Sequence, residues 1–409
     1  MSTELWARMR DKSAAPAYHF GTYRAVPPAE TLRRITPLLR LAGITRLADI
    51  TGLDFVGVPV FQAIRPNSRN LSVCNGKGLT RDQAKVSALM EALETHHAED
   101  VNQPTVRVPL TSMRRQLNYD PYALAVVRTT AGCVRRDIDY DPFLPPTGMP
   151  TFLNDQSPVE WVSATDLSTG AATWIPKQVC ELDLSVEDRV CTPFFHSSSN
   201  GLASGNTFAE ALVHGLCELV ERDGIESGST AWTDGNRCIA PVTVPCRPAQ
   251  AILQRFARAR LKTQIIDLTG PTGLPCFEVY LSDSDCATYG GYGCHPSRDT
   301  ALLRALTEAA QSRLTHIAGA RDDVYRETYR RAAELPPPRE HPLFAVQPSG
   351  DFQRCPDHPM GSWNAGLADI VDRVRRVTAV SPLAVDLTRP EFGIPVVMVI
   401  APGLGFSLP

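Results

Sequence analysis

Downstream of Thr207 the apolar residues Leu212, Val213, Leu216, Leu219 and Val220 recur at helical spacing. Glu210, His214, Glu218 and Glu221 follow one another at intervals of four, four and three on the opposite side. This pattern predicts an amphipathic helix with an acidic stripe. Thr207 and Glu210 have the spacing of a capping box, in which each side chain satisfies the other's backbone N–H. Two other stretches share the design. Thr80 and Gln83 form a second capping box ahead of a helix that carries Ser87, Glu91 and Glu94 on one face. Thr288 to Arg313 reads as a strand, a glycine turn and a long helix with Arg304, Glu308 and Gln311 on one face.

Elsewhere the pattern is shorter. Pro27 and Pro28 open a helix through Leu32, Ile35, Leu38 and Leu39, since proline suits a first helical turn. Leu47 to Ala63 predicts paired strands, Arg65 to Asn70 a turn, and LSVCNGKG (71–78) a short strand running into glycines. WVSATDLSTGAATWIP (161–176) reads as a hairpin around Ser168, Thr169 and Gly170. A helix over Ile252 to Leu261 precedes strands at Thr263 to Leu268 and Cys276 to Leu281. A last helix, Leu367 to Val377, precedes strands at Leu383 to Leu387 and Ile394 to Ile400. Residues 107–158 are polar and proline-rich, a connecting region; residues 319–365, with Pro336, Pro337 and Pro338, read as an excursion. Mixed strands and helices in this order predict an α/β fold.

Composition narrows the class. A chain of 409 residues with 43% hydrophobic and 21% charged content can bury a core as a soluble globular protein. A net charge near −3 argues against a nucleic-acid or anionic-membrane surface. The start, MSTELWARMRDKSAAP, has no apolar run of a signal peptide, and no stretch reaches the length of a membrane span. Eleven cysteines without a C-x-x-C pair fit reduced thiols, hence a cytoplasmic protein.

The three helices share a repeat. Counted from Ala84, Ala211 and Ala301, a small residue stands four positions on (Ala88, Gly215, Ala305). A glutamate stands seven on (Glu91, Glu218, Glu308), and Glu94, Glu221 or Gln311 ten on. Either three similar helices pack alike on one sheet, or their acidic faces converge on one cavity. The stripe after Thr207 has no basic residue until Arg222, unlike an ordinary solvated face with its Glu–Lys pairs. Turned into a cleft, two carboxylates about 5 Å apart would repel by about 3 kcal/mol at an effective dielectric near 20, a penalty that a divalent cation removes. Oxygen donors favour Mg2+. Backbone N–H groups at the glycine turns, with Lys77 between Gly76 and Gly78, suit phosphate, although the Walker A spacing is absent.

With these motifs laid out, the chain resembles the YcaO family. The resemblance is carried by NGKG (75–78), SALMEALE (87–94), SNGLASGNTFAEA (199–211), ELVERD (218–223) and RALTEAAQSR (304–313). It implies the family's α/β fold as a single domain over 1–409, divided into an N-terminal segment (1–60), a nucleotide-binding core (61–318), the excursion (319–365) and C-terminal strands (366–409). It implies ATP and Mg2+, with Glu91, Glu94, Glu218 and Glu221 around the metal. The same positional match places Arg24, Thr31, Lys77, Ser87, Asn206, Glu210, Arg222, Arg304 and Gln311 at the nucleotide, and gives Glu218, Glu221 and Arg304 the catalytic part. Two positions depart from the family pattern: Thr95 stands where an arginine is usual, and Ala203 where a serine can touch nucleotide.

The implied reaction is ATP-dependent activation of a peptide amide, in which the amide oxygen is phosphorylated and leaves as phosphate. Attack by sulfide gives a thioamide; attack by a substrate Cys, Ser or Thr gives an azoline. GTYRAVPPAET (21–31) is similar to stand-alone members that work with a TfuA-type sulfur-delivery partner, and PGLGFSLP (402–409) lacks an alternating proline tail. Thioamidation of a peptide or protein is therefore the expectation. Azoline formation, or a non-catalytic ATP-binding role in a sulfur-insertion complex, are the alternatives. The resemblance also implies a homodimer. His96 and His97 point different ways on a helix and read as surface or packing residues, Cys74 and Cys217 as ordinary buried thiols, and Asp283 and Asp285 as turn residues.

Overall fold

In the computed structural model, described for residues 4–9, 15–124, 153–183, 185, 194–228, 230–283, 287–324, 329 and 342–405, each of the three related helices starts just behind a strand that contains glycine or, before the second helix, is flanked by Gly201 and Gly205. After α1 (Glu4–Met9), strands β1 (Ala17–Tyr18) and β2 (Tyr23–Arg24) form a small hairpin, and α2 (Pro28–Ile35) follows. The first glycine unit is the antiparallel sheet of β3 (Arg46–Asp49), β4 (Val60–Ile64) and β5 (Val73–Lys77), covered by α3 (Arg81–Ala98).

Next come β6 (Thr105–Pro109), the single turn α4 (Leu110–Met113), the hairpin β7 (Pro158–Asp166) and β8 (Ala172–Pro176), and the turn α5 (Lys177–Cys180). Strand β9 (Leu202–Ser204) leads into α6 (Phe208–Ser227). Helix α7 (Arg247–Arg258) and α8 (Arg298–Ala318) pack on the antiparallel sheet of β10 (Lys262–Asp267), β11 (Cys276–Ser282) and β12 (Thr288–Cys294). Finally α9 (Trp363–Thr378) packs on α6, and β13 (Leu383–Asp386) and β14 (Val396–Ile400) enter the centre of a six-stranded sheet. That sheet runs β6-β7-β13-β14-β9 with β8 on β7, and its apolar side holds Trp161, Ile175, Phe195 and Val385.

The repeat of small residues has a packing cause. A side chain at Gly76 would collide with the backbone of Ala84 and Ala88, and one at Gly293 with Ala301 and Ala305. Gly205 faces Ala211 in the same way, and Gly215 lies against the carbonyl of Gly201. The helices thus seat their backbones directly on strand backbone, which only glycine opposite alanine or glycine permits. Gly290, Gly291 and Gly293 consequently lie inside β12, and the turn before α8 is His295-Pro296-Ser297 rather than the glycine turn expected.

The structure changes other expectations. The box at Thr80 is complete, but at α6 only Thr207 caps, accepting from the Glu210 N–H at 3.2 Å, while the Glu210 carboxylate goes elsewhere. The acidic helix has no solvated side to speak of, since Glu210 and Glu221 are buried like its apolar residues. Helix α2 stops at Ile35 and tightens into a 3₁₀ turn, Thr36–Leu38, around Pro37. Within 319–365, Phe352 is fully buried against Phe277, so this part packs into the core. Asp283 is an ion-pair partner of Arg313 at 2.8 Å rather than a plain turn residue. His97 is buried against Phe392, and Cys74 and Cys217 are buried. Asp285, Pro336 to Pro338, Pro409 and residues 125–152 of the connecting region lie outside the described residues.

Candidate active site

The three helices and the segment 21–31 enclose a cavity of about 480 Å³. Its wall includes Glu91, Glu94 and Ser87 of α3, and Glu210, Glu218, Glu221 and Arg222 of α6. Arg304 and Gln311 of α8, Lys77 at the end of β5, and Asn206, Arg24 and Thr31 complete the residues singled out from the sequence. All of them reach this one space. The positions seven and ten along each repeat face inward because the small residues before them seat the opposite side of each helix on its sheet.

The carboxylates divide into those with many donors and those with few. Glu210 accepts from the Asn206 N–H at 3.1 Å, the Ala25 N–H at 3.3 Å and the Arg24 guanidinium at 3.4 Å, with the Asn206 amide at 3.3 Å. Thr31 Oγ1 then donates to Asn206 Oδ1 at 2.9 Å. Glu94 accepts from Ser204 N–H at 2.7 Å and from its hydroxyl at 2.6 Å. Glu218 receives the Gly201 N–H at 3.3 Å and Glu221 the Cys294 N–H at 3.0 Å, with Arg222 shared between them at 3.7 and 3.9 Å. Lys77 pairs with Glu308.

Electrostatics follow from crowding of like charge in a low-dielectric wall. Burial pushes Glu91 up to about 7, although Lys77 and Arg321 oppose the rise. Burial, helped by Glu91 and Glu218, pushes Glu94 up to about 8 against the Ser204 hydrogen bonds. Glu218 is raised by burial, and Glu221 by burial and the Glu308 charge. Glu308 goes the other way: burial works against it, but Lys77 holds it below the usual range. His214 is driven well down by burial and by Arg304, so the neutral ring accepts from Arg304 Nη2 at 3.0 Å.

These residues fit a nucleotide with Mg2+. Among the described residues no group of three His, Cys, Asp or Glu side chains could by itself hold a metal ion. Mg2+ characteristically takes one or two protein carboxylates together with phosphate oxygens and water, which is what a spread of under-neutralised carboxylates offers. The buried Gln311 Oε1 and Arg222 Nε have no partner, leaving an acceptor and a donor for a ligand.

Sequence reasoning left out Glu308, His214 and Arg321 as site residues, and all three line the cavity. The repeat already contained the signal for Glu308, and the stripe that for His214. Arg321 carried none, because Arg-Asp-Asp after a helix reads as solvated. Among the described residues no helix is long and apolar enough to cross a membrane.

A cavity walled by carboxylates, lysine and arginines on rigid helices is that of an ATP-dependent enzyme with an α/β fold. Residues 75–405 match the YcaO cyclodehydratase family, described as ATP- and Mg2+-binding, and the chain belongs to that family. It is 35% identical to an uncharacterised protein in the tfuA 3′ region of Rhizobium leguminosarum bv. trifolii, over 97% of this chain and 91% of that one. It is 32% identical to an uncharacterised protein of Mycobacterium tuberculosis, over 96% and 84%. Its fold is similar to that of a heterocyclase in complex with substrate and cofactor, with a TM-score of 0.75, 22% identity and 97% coverage. The chain spans 55% of that longer protein. It is also similar to YcaO from Methanopyrus kandleri bound with AMPPCP and Mg2+, with a TM-score of 0.66, 22% identity, and 96% and 94% coverage.

Proposed function

We propose that the protein uses ATP to activate a peptide backbone amide and exchanges its oxygen for sulfur, giving a thioamide. The observation that carries amide activation is the convergence of Glu91, Glu94, Glu218, Glu221 and Glu308 with Lys77, Arg222 and Arg304 on one cavity. Sulfide attacks the amide carbon, the resulting oxyanion takes the γ-phosphoryl group, and loss of phosphate and the sulfide proton leaves C=S. Mg2+, when bound, neutralises charge on the phosphate oxygens. Glu91, Glu94, Glu218 and Glu221 would hold it together with phosphate and water oxygens. Arg304 and Lys77 face the developing phosphate charge, and Arg222, shared between Glu218 and Glu221, opposes the rise that burial gives them. Arg24, Thr31, Asn206 and Glu210 form the nucleotide's other boundary, Ser87 and Gln311 add polar contacts, and the enzyme's work is positioning.

Sulfur insertion is favoured over ring formation by the 35%-identical relative, whose name places it beside tfuA. A TfuA-like protein would deliver the sulfur, in the cytoplasm, to a peptide or protein substrate. The second reading, azoline formation, is favoured by the family's own description as cyclodehydratases. Intact mass of a candidate peptide, co-expressed with this protein and the sulfur-delivery partner, separates them. The expected result is a gain equal to sulfur replacing oxygen, lost with Glu218→Gln. Loss of water at each site would make the protein a cyclodehydratase instead.

A further inference from the structure

Helix α3 presents Glu91 and Glu94 to the cavity but no cation beside them. Thr95, the next residue, turns its hydroxyl back onto its own helix, to the carbonyls of Glu91 at 3.2 Å and Ala92 at 3.1 Å. The nearest arginine from the sheet, Arg65, touches Thr95 Oγ1 at 3.1 Å but is committed to Glu99, at 2.6 Å in a buried pair.

Positive charge reaches this wall from a different element. Helix α8 ends at Gly319, in the left-handed conformation at φ 57°, and the chain folds back toward β5. The Asp322 carboxylate accepts from the Ser72 N–H at 2.6 Å and its hydroxyl at 3.0 Å, fastening the loop to the approach of β5. Between these two anchors Arg321 lines the cavity with Glu91, Cys74 and Thr95. Asp323 occupies its Nε at 2.9 Å and its Nη2, so the guanidinium is held in place with Nη1 left over. Among the described residues of this wall, Lys77 is the other cation, and Glu308 already holds it.

We propose that Arg321 contacts the phosphates of the bound nucleotide, supplying from the loop after α8 the cation that α3 lacks at Thr95. This rests on the ATP-dependent reading of the site. A planar donor fork anchored on one edge can bind a phosphate oxygen with the other. Its place next to Glu91 puts one fixed positive charge where polyphosphate and acidic wall would otherwise repel.

Calorimetric titration of ATP with Mg2+ into the full chain tests this. Arg321→Ala is expected to weaken ATP by about tenfold or more. Arg321→Lys should lose less, and Thr95→Arg added to Arg321→Ala should recover a substantial part of the affinity. The ligand-free melting temperature should shift by only a few degrees, since Arg321 is half-buried and its pair with Asp323 is local. Wild-type affinity in Arg321→Ala overturns the inference and leaves the ATP reading intact. A loss that neither Arg321→Lys nor the added Thr95→Arg relieves also overturns it, because Arg321 would then act only by holding the loop. Failure of the wild type to bind ATP with Mg2+ overturns the reading and this inference together.

Discussion

The N-termini of α3 and α6 begin with the same device and use it differently. Gln83 completes its capping box: its Oε1 accepts from the Leu79 and Thr80 N–H groups, and its Nε2 donates to the carbonyls of His19 and Phe20. Glu210, at the matching place, has no donor to offer. It collects instead the N–H groups of Asn206 and Ala25 and the charge of Arg24. Both caps therefore grip the segment 19–25, one through an amide that gives and takes, one through a carboxylate that only takes. An amide can close a helix and fix a strap in one stroke. A carboxylate gathers donors, and so places Arg24, Asn206 and, through it, Thr31 around the cavity.

The largest effect should come from erasing this difference. Glu210→Gln presents an amide to four converging donors; ATP affinity is expected to fall by tenfold or more and stability by about 1–3 kcal/mol, read by titration and denaturant unfolding. Wild-type ATP affinity in this variant would break the comparison. The reverse swap, Gln83→Glu, removes the donor to His19 and Phe20. It should cost about 1–2 kcal/mol while changing ATP affinity only severalfold, because the cap at α3 holds the strap and not the cavity's charges.

A third measurement contrasts the saturated Glu210 with its under-neutralised neighbours. Glu91 and Glu94 have folded-state values near 7 and 8, above the unfolded carboxylate range. The folded protein therefore holds more protons than the unfolded chain between about pH 4.5 and 8, and these groups lower its stability as pH rises through that window. Melting of the ligand-free protein should decline from pH 6 to 8 on their account. The rise in melting temperature on adding Mg2+ and ATP should be greater at pH 8 than at pH 6. An equal rise at both would mean that the acidic wall takes no part in binding.

Smallest, and the control for the rest, are Thr80→Ala and Thr207→Ala. Both hydroxyls accept from an N–H three residues on, at 3.2 Å, so each should cost about 1 kcal/mol and the two should match.

Much of this was legible beforehand because periodicity records which side of a helix is buried. Convergence of positions seven and ten of each repeat on one cavity was one of two readings the pattern left open, and Glu91, Glu94, Glu218, Glu221, Glu308 and Gln311 all line it. Local spacing could not say where Glu210 would turn, since the choice depends on a strap some 185 residues away in sequence. Nor could it foresee that β13 and β14 insert between β7 and β9, a pairing made by long-range register. Arg321 was hidden for a related reason: its place is fixed by Ser72, 250 positions from Asp322. The glycines of β12 were visible but misread, because a glycine that admits a helix backbone looks the same in sequence as one that turns a chain.

Those glycines also say how the protein can change over generations. Where Gly76, Gly205 and Gly293 meet Ala84, Ala211 and Ala301, a single added methyl group would lift a helix and carry its carboxylates away from the others. The three units are thus locked to one another through buried backbone seats rather than through side chains. A survey of all single substitutions should find these glycines as intolerant as the glutamates. Lineages that alter what the cavity acts upon would have to do so from its loops, leaving the seats beneath the helices untouched.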